Sequence, residues 1–264
     1  MTNPLIKNIK NRMIYYNQNW LGLICGPTGS GKSFSGLRIA EEVDDTFHIG
    51  RVVFTAEEFM QVLNNGMKQG QIIIWDEAGV GMASREWYSI SNKAINYVLQ
   101  TFRHLNLGVI FTTPSISYID SQARRLFHSY IETYEVDRKR KQVKARWFTV
   151  SYSPRSDKIY HIYRRYKREK KNLTRINIPS KELIDAYEKK KKAFSQSLRM
   201  DVLEDVKIAK MKEKHRKLTD LDIMKTIKDE KIELDAYTLQ FKFNIGKDRA
   251  YRIIKNYKKF SPTI

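Results

Sequence analysis

The sequence predicts an α/β fold: a five-stranded, mostly parallel sheet covered by helices, then a β-hairpin, a helical connector and a small all-α domain. Three observations carry this. Short β-branched runs alternate with amphipathic stretches through residues 1–137, the rhythm of parallel strands joined by crossover helices. Runs such as "IIIWD" are apolar throughout, as expected of strands covered on both faces. Past residue 137 the composition changes, with bases and aromatics interleaving and then long charged stretches.

Taken in order, strands are expected at 21–25, 51–55, 71–76, 108–113 and 130–136, with helices at 32–43, 56–65, 87–104 and 119–128. Thr55 reads as the N-cap of the second helix, with Glu58 three residues on in the spacing of a capping box. "QVKARWFTVSYS" and "KIYHIYRRY" (142–153 and 158–166) form a hairpin turned at "SPRSDK", where Pro154 and Asp157 favour a reversal. After Pro179, Ser180 caps one or two long charged helices, either a solvated connector or an arm that coils or touches DNA. Helical patterns at 219–230, 235–242 and 247–259 follow, the last two joined by "FNIG". That layout is a helix-turn-helix whose second helix would offer Lys247, Arg249, Arg252 and Lys255 to DNA; the alternative is a three-helix bundle for protein contacts. The expected domains are 1–137, 138–171, 172–215 and 216–264.

The formal net charge of +20 is unevenly spread. Residues 1–137 carry 12 basic against 13 acidic side chains, 138–171 carry 14 against 2, and 172–264 carry 23 against 14. The excess positive charge lies wholly in the second half, which suits a polyanion: nucleic acid first, with DNA, in duplex form, as the expected partner, and an anionic membrane surface second. The single cysteine, Cys25, rules out an intramolecular disulfide or a multi-cysteine metal site. No apolar run approaches the roughly 20 residues that span a bilayer, and "MTNPLIKNIKNRM" lacks the layout of a signal peptide, so a cytoplasmic location is expected.

Chemistry enters at "GPTGSGKS", which fits G-x-x-x-x-G-K-[ST] between a predicted strand and a predicted helix. This is a phosphate-binding P-loop. Gly26, Pro27, Thr28, Gly29, Ser30, Gly31, Lys32, Ser33 and Phe34 form the expected ATP-binding set, with backbone N–H groups around the phosphates at a helix N-terminus. Lys32 would reach the β- and γ-phosphates and Ser33 would ligate Mg²⁺. "IIIWDEAG" delivers Asp76 and Glu77 at the carboxyl end of a buried strand, where open α/β sheets place ligands. Asp76 would hold Mg²⁺ through its water shell and Glu77 would act as general base, although such a pair can also cap the next helix. Cys25, Trp75, Trp87 and Tyr88 read as packing residues, and the glycine-bearing "AGVGMASREW" as a loop able to face DNA.

The strand at 51–55 is expected as an extra strand between the phosphate loop and the Asp76–Glu77 strand, an arrangement that resembles the additional-strand, catalytic-glutamate class of P-loop ATPases. "YVLQTFRHLNLGVIFTTPSISYIDSQARRLFHSYIE" narrows this further. It resembles the zonula occludens toxin family, within the wider HerA and FtsK pumping ATPases, at Arg103-His104, "GVIFTT", Pro114, "YID" and "RRLFH". The resemblance covers about residues 18–137. It implies a ring oligomer, a hexamer in the usual case, with Arg103 as a finger on a neighbouring subunit's nucleotide; the alternatives are a helix C-terminal cation, or Arg85, Arg124 or Arg125 in that role. It also implies a polar sensor at Thr113, where the family usually carries Gln, so hydrolysis would be slower or Thr112 would share the role. Membrane-anchored members carry a spanning helix after the ATPase domain, which this chain lacks; membrane or capsid proteins are then candidate partners. The function expected is an ATP-driven DNA translocation, packaging or transfer motor of a mobile element. The rival is an ATP-switched replication-initiation, partition or regulatory factor that binds DNA without pumping it.

Overall fold

The computed structural model describes residues 3–77, 105–163 and 173–260. The helix expected at 87–104, with Arg103, His104, Arg85, Trp87, Tyr88 and the 78–87 loop, lies outside the described residues. The chain divides into two compact units, Met1–Phe194 and Ser195–Ile264.

The first unit is built on one mixed sheet. Its strands are β1 (Trp20–Cys25), β2 (Val52–Val53), β3 (Ile72–Trp75), β4 (Gly108–Thr113), β5 (Ser129–Asp137), β6 (Gln142–Ser153), β7 (Lys158–Tyr163) and β8 (Leu173–Asn177). They run in the order β2-β3-β4-β1-β5-β6-β7, with β8 pairing to β6. The five expected strands are all present and mutually parallel. The expected five-stranded sheet is nevertheless corrected to eight strands, because the basic hairpin continues the sheet antiparallel from β5. A second correction concerns order. The strand that separates the phosphate-loop strand β1 from the carboxylate strand β3 is β4, and the 51–55 segment is the edge strand β2. Position along the chain does not reveal this, since each crossover can carry the chain past a strand not yet made.

Around the sheet lie α1 (Pro4–Lys10), continued by a π-helical turn Asn11–Tyr15, then α2 (Lys32–Val43), α3 (Ala56–Asn64), the single turn α4 (Ser121–Arg124) and the first part of α5 (Lys181–Lys217). Alternate residues of β1 feed opposite layers, which is why the whole strand is buried. Trp20 and Ile24 join Leu37, Ile39, Ile74 and Ile110 on one side, while Leu21, Leu23 and Cys25 join Phe59, Trp75, Phe111 and Phe127 on the other. The sequence reading contains no counterpart of α1, which buries Leu5, Ile6 and Ile9 in the first layer. The helix expected at 119–128 shrinks to α4, although Ile119, Ala123 and Phe127, at helical spacing, all enter the second layer.

Thr55 caps α3 by accepting from Glu58 N at 3.1 Å. The Glu58 carboxylate reaches one residue further back than a capping box requires, to Phe54 N at 2.7 Å. Between α2 and β3, Arg51 forms a buried ion pair with Asp44 and donates to Thr46 Oγ1 at 2.8 Å, while Asp44 also accepts from Ile72 N at 2.9 Å. This network fixes the sheet edge beside the carboxylate strand.

The second unit holds α6 (Asp220–Asp229), α7 (Ala236–Phe243) and α8 (Lys247–Phe260) around Ile223, Ile227, Leu239, Phe243, Ala250 and Ile253. A capping box between Thr219 and Asp222 starts α6, and Asp235 caps α7. Asn244 ends α7 at φ 50°, a left-handed cap that opens the short turn into α8.

Candidate functional site

The phosphate loop joins β1 to α2 at the carboxyl end of the sheet. Gly29 and Gly31 have φ of 79° and 87°, a conformation costly for other residues. A Cβ on Gly31 would stand 2.6 Å from Val143 Cγ2, whereas one on Gly29 would meet nothing within 4 Å. The loop therefore packs against the sheet on one side and is open on the other. Ser30 is tied down by a 2.7 Å hydrogen bond with Thr133, whose hydroxyl also reaches Cys25 O at 3.2 Å. Lys32 folds over the loop, donating to the carbonyls of Gly26 and Pro27 at 2.9 Å each. Burial lowers the pKa of its ammonium and Lys191 adds to that, against the opposing pull of Asp76 and Glu77.

The carboxylates stand at the end of β3. Asp76 is fully buried. Its Oδ1 accepts from Thr112 Oγ1 at 2.6 Å, and Thr112 Oγ1 in turn accepts from Glu77 N at 2.9 Å. Glu77 itself takes φ 56°, the left-handed region unusual for a non-glycine residue. Thr113, the residue expected as sensor, also lines the cleft, but its hydroxyl donates to Ser115 O at 3.1 Å. Thr112 is the threonine on Asp76, since successive strand residues point to opposite faces.

A cleft of about 620 Å³ joins these parts, lined by Gly29, Lys32, Ser33, Phe34, Glu77 and Thr113 among others. Of the residues that the sequence singled out, it brings together Thr28, Gly29, Gly31, Lys32, Ser33, Phe34, Glu77 and Thr113, while Asp76 is buried behind Glu77. It also contains residues that the sequence reading did not select. Arg138 and Lys141 come from the β5–β6 turn, and Tyr187 and Lys191 from α5. Tyr187 donates to Asp76 Oδ2 at 2.6 Å, and burial together with the Asp76 charge raises its phenol above the ordinary range. Lys191 Nζ lies 2.8 Å from Glu77 Oε1 and 3.5 Å from Asp76 Oδ2. Burial alone would lower Lys191, but the two carboxylates outweigh it and hold the ammonium above its ordinary range. The signal for these residues was available: Leu183, Tyr187 and Phe194 form an apolar stripe at helical spacing on an otherwise charged helix.

The donor set fits a nucleoside triphosphate with Mg²⁺. An open glycine cradle at a helix N-terminus suits phosphate, and a serine hydroxyl with a buried carboxylate suits a small hard cation that takes few protein oxygens.

The sequence profile of the Zonular occludens toxin (Zot) family matches residues 34–175, more than half of the chain. The chain belongs to the Zot family. The Zot match begins just after Ser33 and ends before α5, so the phosphate loop and the residues Tyr187 and Lys191 lie outside it, while Asp76 and Glu77 lie within it. Two of the solved structures that are similar in part are as follows. The N-terminal domain of zonular occludens toxin from Neisseria meningitidis is 18% identical, with a TM-score of 0.34, covering 59% of this chain and 97% of that one. The genome packaging NTPase of Sulfolobus turreted icosahedral virus 2, in complex with ATP-gammaS, is 13% identical, with a TM-score of 0.32, covering 54% and 96%. No curated protein matches.

In the second unit, Lys247, Arg252 and Lys255 are exposed on α8. Arg249 is not, which corrects the expectation of four exposed cations. It is half-buried and bound to Asp220 at 2.8 Å and to Leu218 O at 2.6 Å, because it sits where α8 packs on the start of α6. Arg252 also reaches Asp220, at 3.1 Å. Among the described residues no helix is long and apolar enough to cross a membrane.

Proposed function

We propose that this chain is a Mg²⁺-dependent ATPase that moves DNA of a mobile element, acting as a ring oligomer. The single observation that carries the hydrolytic part is one cleft lined by the phosphate loop and Glu77, with Asp76 buried beside it and Thr112 hydrogen-bonded to both Asp76 and Glu77. Membership of the Zot family and the strongly basic second half support the DNA load.

In this reading the glycine backbone and Lys32 receive the triphosphate, Lys32 exchanging the carbonyls of Gly26 and Pro27 for phosphate oxygens. Ser33 and Asp76 would hold Mg²⁺, which would supply charge neutralisation of the triphosphate when bound. Thr112 fixes the Asp76 carboxylate and the backbone of Glu77, so that Glu77 is aimed to take a proton from the attacking water. The β5–β6 turn adds Arg138 and Lys141 to the cleft as further positive charge toward the nucleotide. Arg103 remains the proposed finger across a subunit interface, and Lys247, Arg252 and Lys255 the proposed DNA contacts, with α7 and α8 as a helix-turn-helix.

ATPase rates with and without duplex and single-stranded DNA test this. DNA stimulation that is lost in Lys32→Ala and Glu77→Gln, with displacement of a bound roadblock, is the expected result. Restored activity on mixing Arg103→Ala with Lys32→Ala subunits would place Arg103 across an interface.

One observation favours a second reading. The Lys191 ammonium engages the general base Glu77, which suits an ATP-switched DNA-binding factor that assembles with little turnover. Negligible hydrolysis combined with ATP-promoted assembly on one DNA sequence would select it.

A further inference from the structure

The Asp76–Glu77 pair is already engaged by groups from α5, a helix outside the segment that matches the family profile. The Tyr187 hydroxyl donates to Asp76 Oδ2 at 2.6 Å, and Tyr187 lines the cleft together with Ser33. It therefore stands against the buried carboxylate assigned to Mg²⁺. One helical turn on, Lys191 bridges Glu77 Oε1 at 2.8 Å and Asp76 Oδ2 at 3.5 Å.

The contact is built. Tyr187 is 3% exposed and its ring meets Phe34 edge-on at 6.2 Å, Lys190 donates to Val52 O, and Phe194 stacks on Phe54 at 4.6 Å. These residues fall at i, i+3 and i+7 on one face of α5, with Lys191 beside them at i+4. Ser180 N, just before the helix, is fixed by Glu41 at 3.2 Å.

Two neighbouring carboxylates, one of them fully buried, need a positive partner. Lys191 supplies one charge where a divalent cation would supply two. We propose that Tyr187 and Lys191 are positioning residues that hold Asp76 and Glu77 together beside the phosphate loop and give up that place to Mg²⁺. Docking of the 187–194 turn and metal loading are then opposed. Because coupling is reciprocal, whatever pulls this turn away lowers the Mg²⁺ concentration that nucleotide binding requires, and Mg²⁺ with nucleotide loosens the turn. The inference rests on the nucleotide-site reading above and assigns α5 a role in it.

The test is binding of a fluorescent ATP analogue to the full chain, first in EDTA and then as a function of Mg²⁺. Lys191→Met should lower the half-saturating Mg²⁺ concentration at least about threefold, since it removes a cation from within 4 Å of the carboxylates. Lys191→Arg should restore the wild-type value. Tyr187→Phe, which keeps the buried ring and loses only the hydroxyl, should shift it in the same direction as Lys191→Met. In wild type, hydrogen exchange at residues 183–194 should speed up when Mg²⁺ and ATPγS are added together. An unchanged magnesium dependence in both variants, or unchanged exchange, overturns the proposal. So does weaker binding by Lys191→Met in EDTA, which would make the ammonium a phosphate ligand instead. Failure of the wild-type chain to bind the analogue at all overturns the nucleotide-site reading itself.

Discussion

Thr112 donates a 2.6 Å hydrogen bond to the buried carboxylate of Asp76 and takes another, at 2.9 Å, from the backbone N–H of Glu77. One side chain on β4 thus sets both Asp76, proposed to hold the metal, and Glu77, proposed to accept the proton, at the end of β3. Thr112→Val keeps the shape and removes the hydroxyl. A hydrogen bond to a charged group contributes about 1.5–3 kcal/mol, so the ATPase kcat should fall roughly 10- to 100-fold with nucleotide affinity little changed. Thr113→Val, which loses only a bond to Ser115 O, should stay within about threefold of wild type by the smaller value of a neutral hydrogen bond. Steady-state kinetics on the two variants checks this; equal defects would count against it.

Arg51 and Asp44 make a buried pair at the sheet edge, with side chains only 7% and 4% exposed. Removing one partner leaves the other charge buried and alone. Arg51→Ala should therefore cost about 3–5 kcal/mol, readable in denaturant unfolding of the full chain as loss of the first unit's transition. A change below about 1 kcal/mol would show that water reaches the site.

On α8 the cations separate by role. Arg249→Ala should lower the stability of the second unit, since its guanidinium joins α8 to Asp220 and Leu218. Lys247→Ala and Lys255→Ala should leave stability within about 0.5 kcal/mol and each reduce the salt dependence of DNA binding by about one counterion. Thermal melts paired with salt titrations distinguish the two classes. A salt slope indifferent to Lys247 and Lys255 would remove α8 from the DNA interface.

Cys25 lies one residue before the phosphate loop, and burial pushes its thiol up to about 12, offset in part by a hydrogen bond with Tyr130. It should resist thiol reagents at neutral pH and react fully only on unfolding. The sign for stability follows from linkage. The folded thiol keeps its proton where an unfolded one, at about 8.5, loses it, so this contribution is complete below that value and declines as pH rises from there toward about 12. Thiol titration of native and denatured protein against pH measures both effects.

Much of the first unit was legible because its signals are local. A strand apolar at every position reports burial on both faces, and the predicted bounds of β4, β6 and α2 coincide with the observed ones. The phosphate loop is a spacing of glycines and one lysine, each required by the geometry of a turn around an anion. Where the reading failed, the missing information was spatial. Nothing local distinguishes a separate hairpin from one that extends the sheet, or places the 52–53 strand at the edge and 108–113 at the centre. Thr112 and Thr113 are the same residue type, and only the facing of β4 against β3 decides which hydroxyl meets Asp76.

By itself, then, the sequence determined the α/β core, the loop that takes phosphate, the pair of carboxylates and the basic second half, because each is written in a run of neighbouring residues. The tertiary structure alone decided what surrounds the carboxylates. Tyr187 and Lys191 lie more than 100 positions beyond Asp76, at 111 and 115 residues' separation, and reach it only because Leu183, Tyr187 and Phe194 bury one face of a charged helix against the sheet. Hydrophobic burial is non-directional and acts between any parts of the chain that can be brought together. It is that burial which carries a lysine onto the centre that the phosphate loop announces.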